Sequence, residues 1–207
     1  MHNLDASPLA PSVDPALIAM FEARKRVFID LLKWDLPVLS GRYEMDQFDT
    51  SSATYLVLTD EVGKHRASTR LLRSDGPHIL ADLFPVLCED SVPSAFDIAE
   101  ITRFCIEPTL SRRDRRTARN QLVSALVDHA LASGISCFTA VANLPWFYQI
   151  EQFGWVCRAL GPSREIGGQK LVALSVSIDH ATPGQLAAKG IYDNNAIVMI
   201  TRPGGVS

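Results

Sequence analysis

Three arginines, Arg24, Arg70 and Arg103, and three acids, Asp46, Asp49 and Glu100, carry the side chains from which an ion-paired or acid–base site is built. Arg24 is the most telling. It lies three residues after Phe21 and four before Phe28, on the stripe that Leu17, Phe21, Phe28, Leu31 and Leu32 make at helical spacing. A guanidinium on that apolar face must leave the interface or find a buried partner, because an unpaired buried charge is far too costly. The chain offers carboxylates at Asp46, Asp49 and Glu100. Phe28, Trp34, Phe84 and Thr102 complete a set that does not fit a plain core. The expectation is a polar, ion-paired pocket in the amino-terminal half.

Asp46-Gln47-Phe48-Asp49 suits a tight loop or one helical turn that presents both carboxylates on one side. The same spacing also suits a solvated acidic turn or a helix cap. A metal site is not expected, since no adjacent His or calcium-loop glycine pattern accompanies the pair. In the run Asp97 to Ile106, strict alternation sends Glu100 and Arg103 to opposite faces of a strand. For both to serve one site the strand must bulge between them, as strands do beside active sites. Arg70 could be merely solvent-facing. A second constellation, Ser111 to Arg119, holds Arg112, Arg113, Arg115, Arg116 and Arg119. Cations at a helix start oppose the helix dipole, so this cluster does not serve helix stability. It binds an anionic partner or is a solvated basic face.

Hydrophobic period, caps and turn residues give the helices and strands that carry these side chains. Residues 1–13 read as a loose polar arm. Asp14-Pro15 is an N-cap with proline at the first helical position, opening a helix to about Trp34. Residues 35–52 and 74–93 read as long loops, a length that usually signals function or disorder. Strands are expected at 54–59, 67–73, 96–106, 135–142, 155–160 and 170–178, with a hairpin turn at 61–64. Helices are expected at 114–133, closed by Gly134, at 144–153, and from Thr182-Pro183 to about Gly190. Strands alternating with helices around one sheet, with no dividing linker, give a single α/β or α+β domain over 1–207, with 182–207 as an extension.

Composition sets the outer bounds. With 207 residues, 47% hydrophobic and 21% charged, the chain reads as soluble and globular. A net charge of −3 argues against nucleic-acid binding by bulk electrostatics. No stretch is apolar enough to span a bilayer, and the first residues lack the charged and apolar regions of a secretory signal. The four cysteines lack a Cys-x-x-Cys pair and read as reduced core residues. The expected compartment is the cytoplasm.

In order, Arg24-x3-Phe28-x5-Trp34, Asp46-x2-Asp49, Arg70 in Ser68-Thr69-Arg70-Leu71, Phe84, and Glu100-x2-Arg103 in Glu-Ile-Thr-Arg-Phe resemble the acyl-homoserine-lactone synthase family, the LuxI-type autoinducer synthases of quorum sensing. The resemblance covers roughly residues 15–180. It implies a fold like that of the GCN5-related N-acetyltransferases: a mixed, twisted sheet with helices on both faces and a V-shaped split for the acyl carrier arm. It implies a transferase that joins the amine of S-adenosylmethionine, a substrate and not a cofactor, to an acyl group from a thioester. The methionine carboxylate then closes the lactone and releases 5′-methylthioadenosine.

The resemblance also implies roles. An α-ammonium is no nucleophile until it loses a proton, which makes Glu100 the expected base, directly or through water. Arg70 and Arg103 hold the methionine carboxylate or nearby acids, and Asp46 and Asp49 suit the cationic ligand and pairing with Arg24 or Arg103. Phe28 and Trp34 close over adenosine or sulfonium, where an aromatic face attracts positive charge by roughly 0.5–2 kcal/mol; core packing is their plainer reading. Phe84, Thr102 and Phe104 complete the expected S-adenosylmethionine set. Thr139, Val141, Trp146, Phe147 and Phe153, with Tyr148 and Trp155, fall where the family builds its acyl chamber. Arg112, Arg113 and Arg116 would meet the donor, either an acyl carrier protein or acyl-coenzyme A. The acetyltransferase phosphate-loop glycines are absent. A GCN5-type acetyltransferase using acetyl-coenzyme A, and a non-catalytic module that captures acyl carrier protein, remain alternatives.

Overall fold

The computed structural model describes residues 14–193 and 199–201, with the side chain of Met199 left aside. The arm expected at 1–13 lies outside the described residues. Helix α1 (Pro15–Arg24) begins as its sequence dictates: the Asp14 carboxylate accepts the Ala16 amide at 2.8 Å, and Pro15 occupies the first turn. The expected α-helix to Trp34 then changes character. Lys25–Leu31 is a π-helix, and Lys33 takes a left-handed φ of 59°. Wider turns of this kind collect at functional sites. Here the result is that Phe28 and Trp34 stack with ring centroids 5.0 Å apart.

Two short strands, β1 (Val38–Leu39) and β2 (Tyr43–Glu44), pair within the first expected loop. The strands β3 (Thr54–Thr59) and β4 (His65–Arg73) form the expected hairpin. After the short helix α2 (Ile79–Leu83) come β5 (Ile98–Ile106), α3 (Arg112–Ser133), β6 (Cys137–Asn143) and α4 (Leu144–Glu151). The chain continues through β7 (Val156–Ala159), β8 (Arg164–Ile166), β9 (Gln169–Ser177), α5 (Thr182–Ala188) and β10 (Met199–Thr201). Helix α3 starts earlier than expected: Ser111 is its N-cap, its hydroxyl accepting the Asp114 amide at 3.1 Å, so the arginines lie inside the first turns. Gly134 ends it in the left-handed conformation. Helix α5 starts at Thr182 as expected, and Asp179 just before it accepts the Ala181 and Thr182 amides.

The main sheet runs β10-β3-β4-β5-β6-β9-β7, with β8 also on β9. It is antiparallel except between β5 and β6, which are parallel. Those two pair only over Ile98–Ile101 and Cys137–Ala140; β5 then runs on to Ile106 and β6 to Asn143 without meeting. That wedge is the split expected of the fold. Helices lie on both faces. Leu56, Leu71, Ala99, Phe138, Ala140, Val172 and Leu174 pack on one face with Leu122, Leu126 and Ala130 of α3 and Phe147 and Ile150 of α4. Tyr55, Val57 and Leu72 point the other way, against Leu17, Met20 and Phe21 of α1. The segment expected as an extension contributes Leu186 and Ile191 to the larger core and adds β10 to the edge strand β3. All four cysteines are free, and only Cys105 is fully buried.

Candidate active site

Register across the sheet sets the site. Tyr55 of β3 stands opposite Arg70 of β4, which stands opposite Thr102 of β5. The next row is Leu72, Glu100 and Thr139. Alternation sends all of these to the α1 face. The expected bulge is present: the β4–β5 register shifts between Ser68 and Arg70, and Arg103 takes a φ of 53°. Left-handed backbone is unusual for arginine. Its effect is to put Thr102 and Arg103 on one face, so Arg103 joins Glu100's side of the sheet.

Three guanidinium groups and three carboxylates then close a ring. Arg24 binds Glu44 and Asp49, Arg70 binds Asp49 and Asp46, and Arg103 binds Asp46 and Glu44, with six contacts of 2.5–3.1 Å. Each charge meets two of opposite sign, so the ring is neutral and internally satisfied. An aromatic ring backs each arginine: Phe21 under Arg24, Phe48 near Arg70 and Phe28 near Arg103. Thr102 accepts the Arg70 Nε–H at 3.0 Å. Burial alone would raise the Asp49 carboxyl, but the hydrogen bonds and charge of Arg24 and the charge of Arg70 hold it well below the usual range. Arg24, Arg70, Glu44 and Asp49 expose at most 1% of their side chains, whereas Asp46 exposes 6% and Arg103 9%. The ring therefore has one open edge, Asp46 with Arg103.

Glu44 was not foreseen. It sits in a two-residue strand within a loop, where periodicity carries no signal. Its spacing to Asp46 and Asp49 was the only hint in the sequence.

Glu100 lies on the same face but outside the ring. Its two oxygens accept the Ile79 amide at 2.7 Å and the Leu80 amide at 2.9 Å, both from the start of α2. Burial pushes its carboxyl up to about 7, against the two amide bonds and the Arg70 charge. A buried carboxyl that titrates near neutrality is suited to proton transfer.

The other expected residues divide. Phe28 and Trp34 stack beside Arg103. Phe84 caps α2 and packs between the α1-side core and the Leu80–Leu87 cluster. Phe104, expected with them, is not there: after the bulge, alternation turns it to the opposite face, 5.5 Å from Trp146. The acyl set is also split. Val141 packs with Leu80 and Ala173 on the α2 side, and Thr139 stands in Glu100's row with its buried hydroxyl unpartnered. Trp146, Phe147, Phe153 and Trp155 belong to the α3-side core, because α4 crosses to that face. A groove of about 280 Å³ opens at the wedge, lined by Leu32, Trp34, Asn143, Pro145, Gln169 and Lys170. Arg112, Arg113, Arg115 and Arg116 are exposed and make no ion pair with a described residue. Among the described residues there is no metal-ligating cluster of three or more groups, and no helix is long and apolar enough to cross a membrane.

A mixed sheet that splits between two parallel central strands is the N-acetyltransferase-like fold, and a Lactobacillus plantarum protein assigned as an N-acetyltransferase superposes with a TM-score of 0.55 at 18% identity, covering 80% of this chain and 94% of that one. The family model for autoinducer synthases matches residues 13–186, and the chain belongs to that family. An acyl-homoserine-lactone synthase of Agrobacterium fabrum is 30% identical over 178 residues, which is 84% of each chain. The solved structure of MesI, a CoA-dependent acyl-homoserine lactone synthase, superposes with a TM-score of 0.76 at 26% identity, covering 86% of this chain and 89% of that one. The chain is thus an acyltransferase of the acyl-homoserine-lactone synthase kind.

Proposed function

We propose that this chain acylates the α-amine of S-adenosylmethionine from an acyl thioester and closes the product to an N-acyl-homoserine lactone. The observation that carries the reading is the open edge of the ring, set where β5 and β6 part. Asp46 and Arg103 offer adjacent negative and positive groups, the complement of an amino acid's ammonium and carboxylate. Glu100, on the same face, takes the ammonium proton, directly or through water. The freed amine attacks the thioester carbonyl, the C–S bond breaks and the thiol leaves. A carboxylate oxygen of the methionine moiety then attacks the side-chain carbon next to the sulfonium, and 5′-methylthioadenosine departs with the electron pair of that C–S bond.

The stacked Phe28 and Trp34 supply an aromatic wall for adenosine or sulfonium next to Arg103. The groove lined by Trp34, Asn143 and Lys170 is where the donor's arm enters, with the arginines of α3 receiving its anionic part. Both acyl carrier protein and acyl-coenzyme A fit that description. This reading puts the enzyme in the cytoplasm, where both substrates are made.

Purified protein given S-adenosylmethionine and a panel of both donor types should release methylthioadenosine and an N-acyl-homoserine lactone, resolved by mass spectrometry. Neither product across the panel would overturn the reading. An acetylated amine formed from acetyl-coenzyme A alone would favour an N-acetyltransferase.

A further inference from the structure

Asp49 accepts five donors: both Arg24 nitrogens, one Arg70 nitrogen, the Asp46 amide and the Tyr55 hydroxyl. Tyr55 is the only uncharged side chain among them. It is fully buried on β3, in the same row as Arg70 and Thr102, and its ring meets Phe21 edge-on at 5.8 Å. Phe21 also lies under the Arg24 guanidinium. The hydroxyl reaches Asp49 Oδ1 at 2.7 Å. Burial and the Asp49 charge raise the phenol well above its usual range, so it stays a donor.

The consequence reaches the open edge. Asp49 Oδ2 accepts the backbone amide of Asp46 at 2.8 Å, so whatever fixes Asp49 fixes the turn that aims Asp46. Arg24 and Arg70 also hold Asp49, but each is shared between two carboxylates of the ring, whereas the Tyr55 hydroxyl reaches Asp49 from a rigid ring rooted in the sheet. We infer that Tyr55 is a positioning residue for the amino-acid end of S-adenosylmethionine, acting through Asp49 on the placement of Asp46. The inference rests on the synthase reading above.

The test is Tyr55→Phe, read by calorimetric titration with two probes. S-adenosylmethionine carries the ammonium and carboxylate; 5′-methylthioadenosine lacks both. The variant should bind S-adenosylmethionine several-fold more weakly, because Asp46 is no longer held in the placement that meets the amino-acid end. Methylthioadenosine should bind as it does to the native chain. The KM for S-adenosylmethionine should rise with the KM for the thioester unchanged. Partial unfolding lowers the active concentration and leaves both KM values alone, so a less stable variant still reports. Equal weakening of both probes makes Tyr55 a merely structural residue and overturns the inference, as does native affinity for both. If the native chain makes no lactone, the synthase reading itself has failed, which is a separate outcome.

Discussion

Glu100 and the ring treat buried charge in opposite ways. In the ring each charge has two partners of opposite sign, so burial is compensated. At Glu100 two backbone amides compensate burial only in part, and the carboxyl rises from 4.5 to about 7. The proposed base is therefore half-ionised near neutrality, where a proton acceptor is most useful. Glu100→Gln keeps shape and one hydrogen-bonding oxygen but cannot take a proton. Steady-state assays should show turnover lower by roughly 10²–10⁴-fold with S-adenosylmethionine binding little changed. Near-native turnover would remove Glu100 from the base role. The same substitution has a thermodynamic signature. A folded-state value above the unfolded one means the native fold holds the extra proton, so stability should fall as pH rises from about 4.5 to about 7 and level off above. Denaturant melts across that window should lose this slope in the Gln variant.

Two irregular elements connect that residue chemistry to the fold: the bulge in β5, which brings Arg103 round, and the short helix α2, whose first amides hold Glu100. The second can be edited at one atom. Ile79 is the first residue of α2, a position where proline is favoured, and His78 before it is extended with ψ near 160°, as a residue preceding proline must be. Ile79→Pro therefore removes the N–H that reaches Glu100 and keeps the backbone of the first turn, at the cost of part of the buried Ile79 side chain. The charged form of Glu100 loses a donor, so the rising limb of the pH–rate profile should move to higher pH. An unmoved limb would mean that another group titrates in the reaction. These elements also show what the sequence could reveal. Arg24 on an apolar stripe called for a buried partner or an exit to solvent, and Glu100 and Arg103 three apart called for a bulge if both were to serve one site, because each is a conflict between local pattern and burial cost. The helix α2 gave no such sign. Five residues among Gly76, Pro77 and Pro85 read as loop, and a single turn has no period to detect. The division of the acyl set between the two faces was hidden for a related reason: sequence proximity of Thr139, Val141 and Trp146 does not tell that α4 crosses to the other face.

Over the whole molecule, charge is unevenly placed. The chain is net −3, yet the start of α3 presents Arg112, Arg113, Arg115 and Arg116 to solvent with no described carboxylate paired to them. The helix dipole opposes cations there, so the arrangement costs stability unless an anionic partner uses it. The proposed thioester donor fits that place: α3 follows β5 directly, so its start lies at the end of the sheet where β5 and β6 part. The ring and Glu100 lie on the face covered by α1 and α2, away from α3. Charge at the helix start should therefore act on the thioester donor and not on S-adenosylmethionine. Reversing Arg113 and Arg116 to Glu should raise the donor KM roughly three- to tenfold at low salt, since exposed charge contacts are individually weak. The KM for S-adenosylmethionine should stay near native. Because these contacts are exposed, the penalty should shrink at moderate salt as the screening length falls. Running the comparison with acyl carrier protein and acyl-coenzyme A donors identifies the one the chain uses, since only a donor that engages the arginines responds. If neither donor responds to the reversal, the basic face is solvated and the donor docks elsewhere on the wedge.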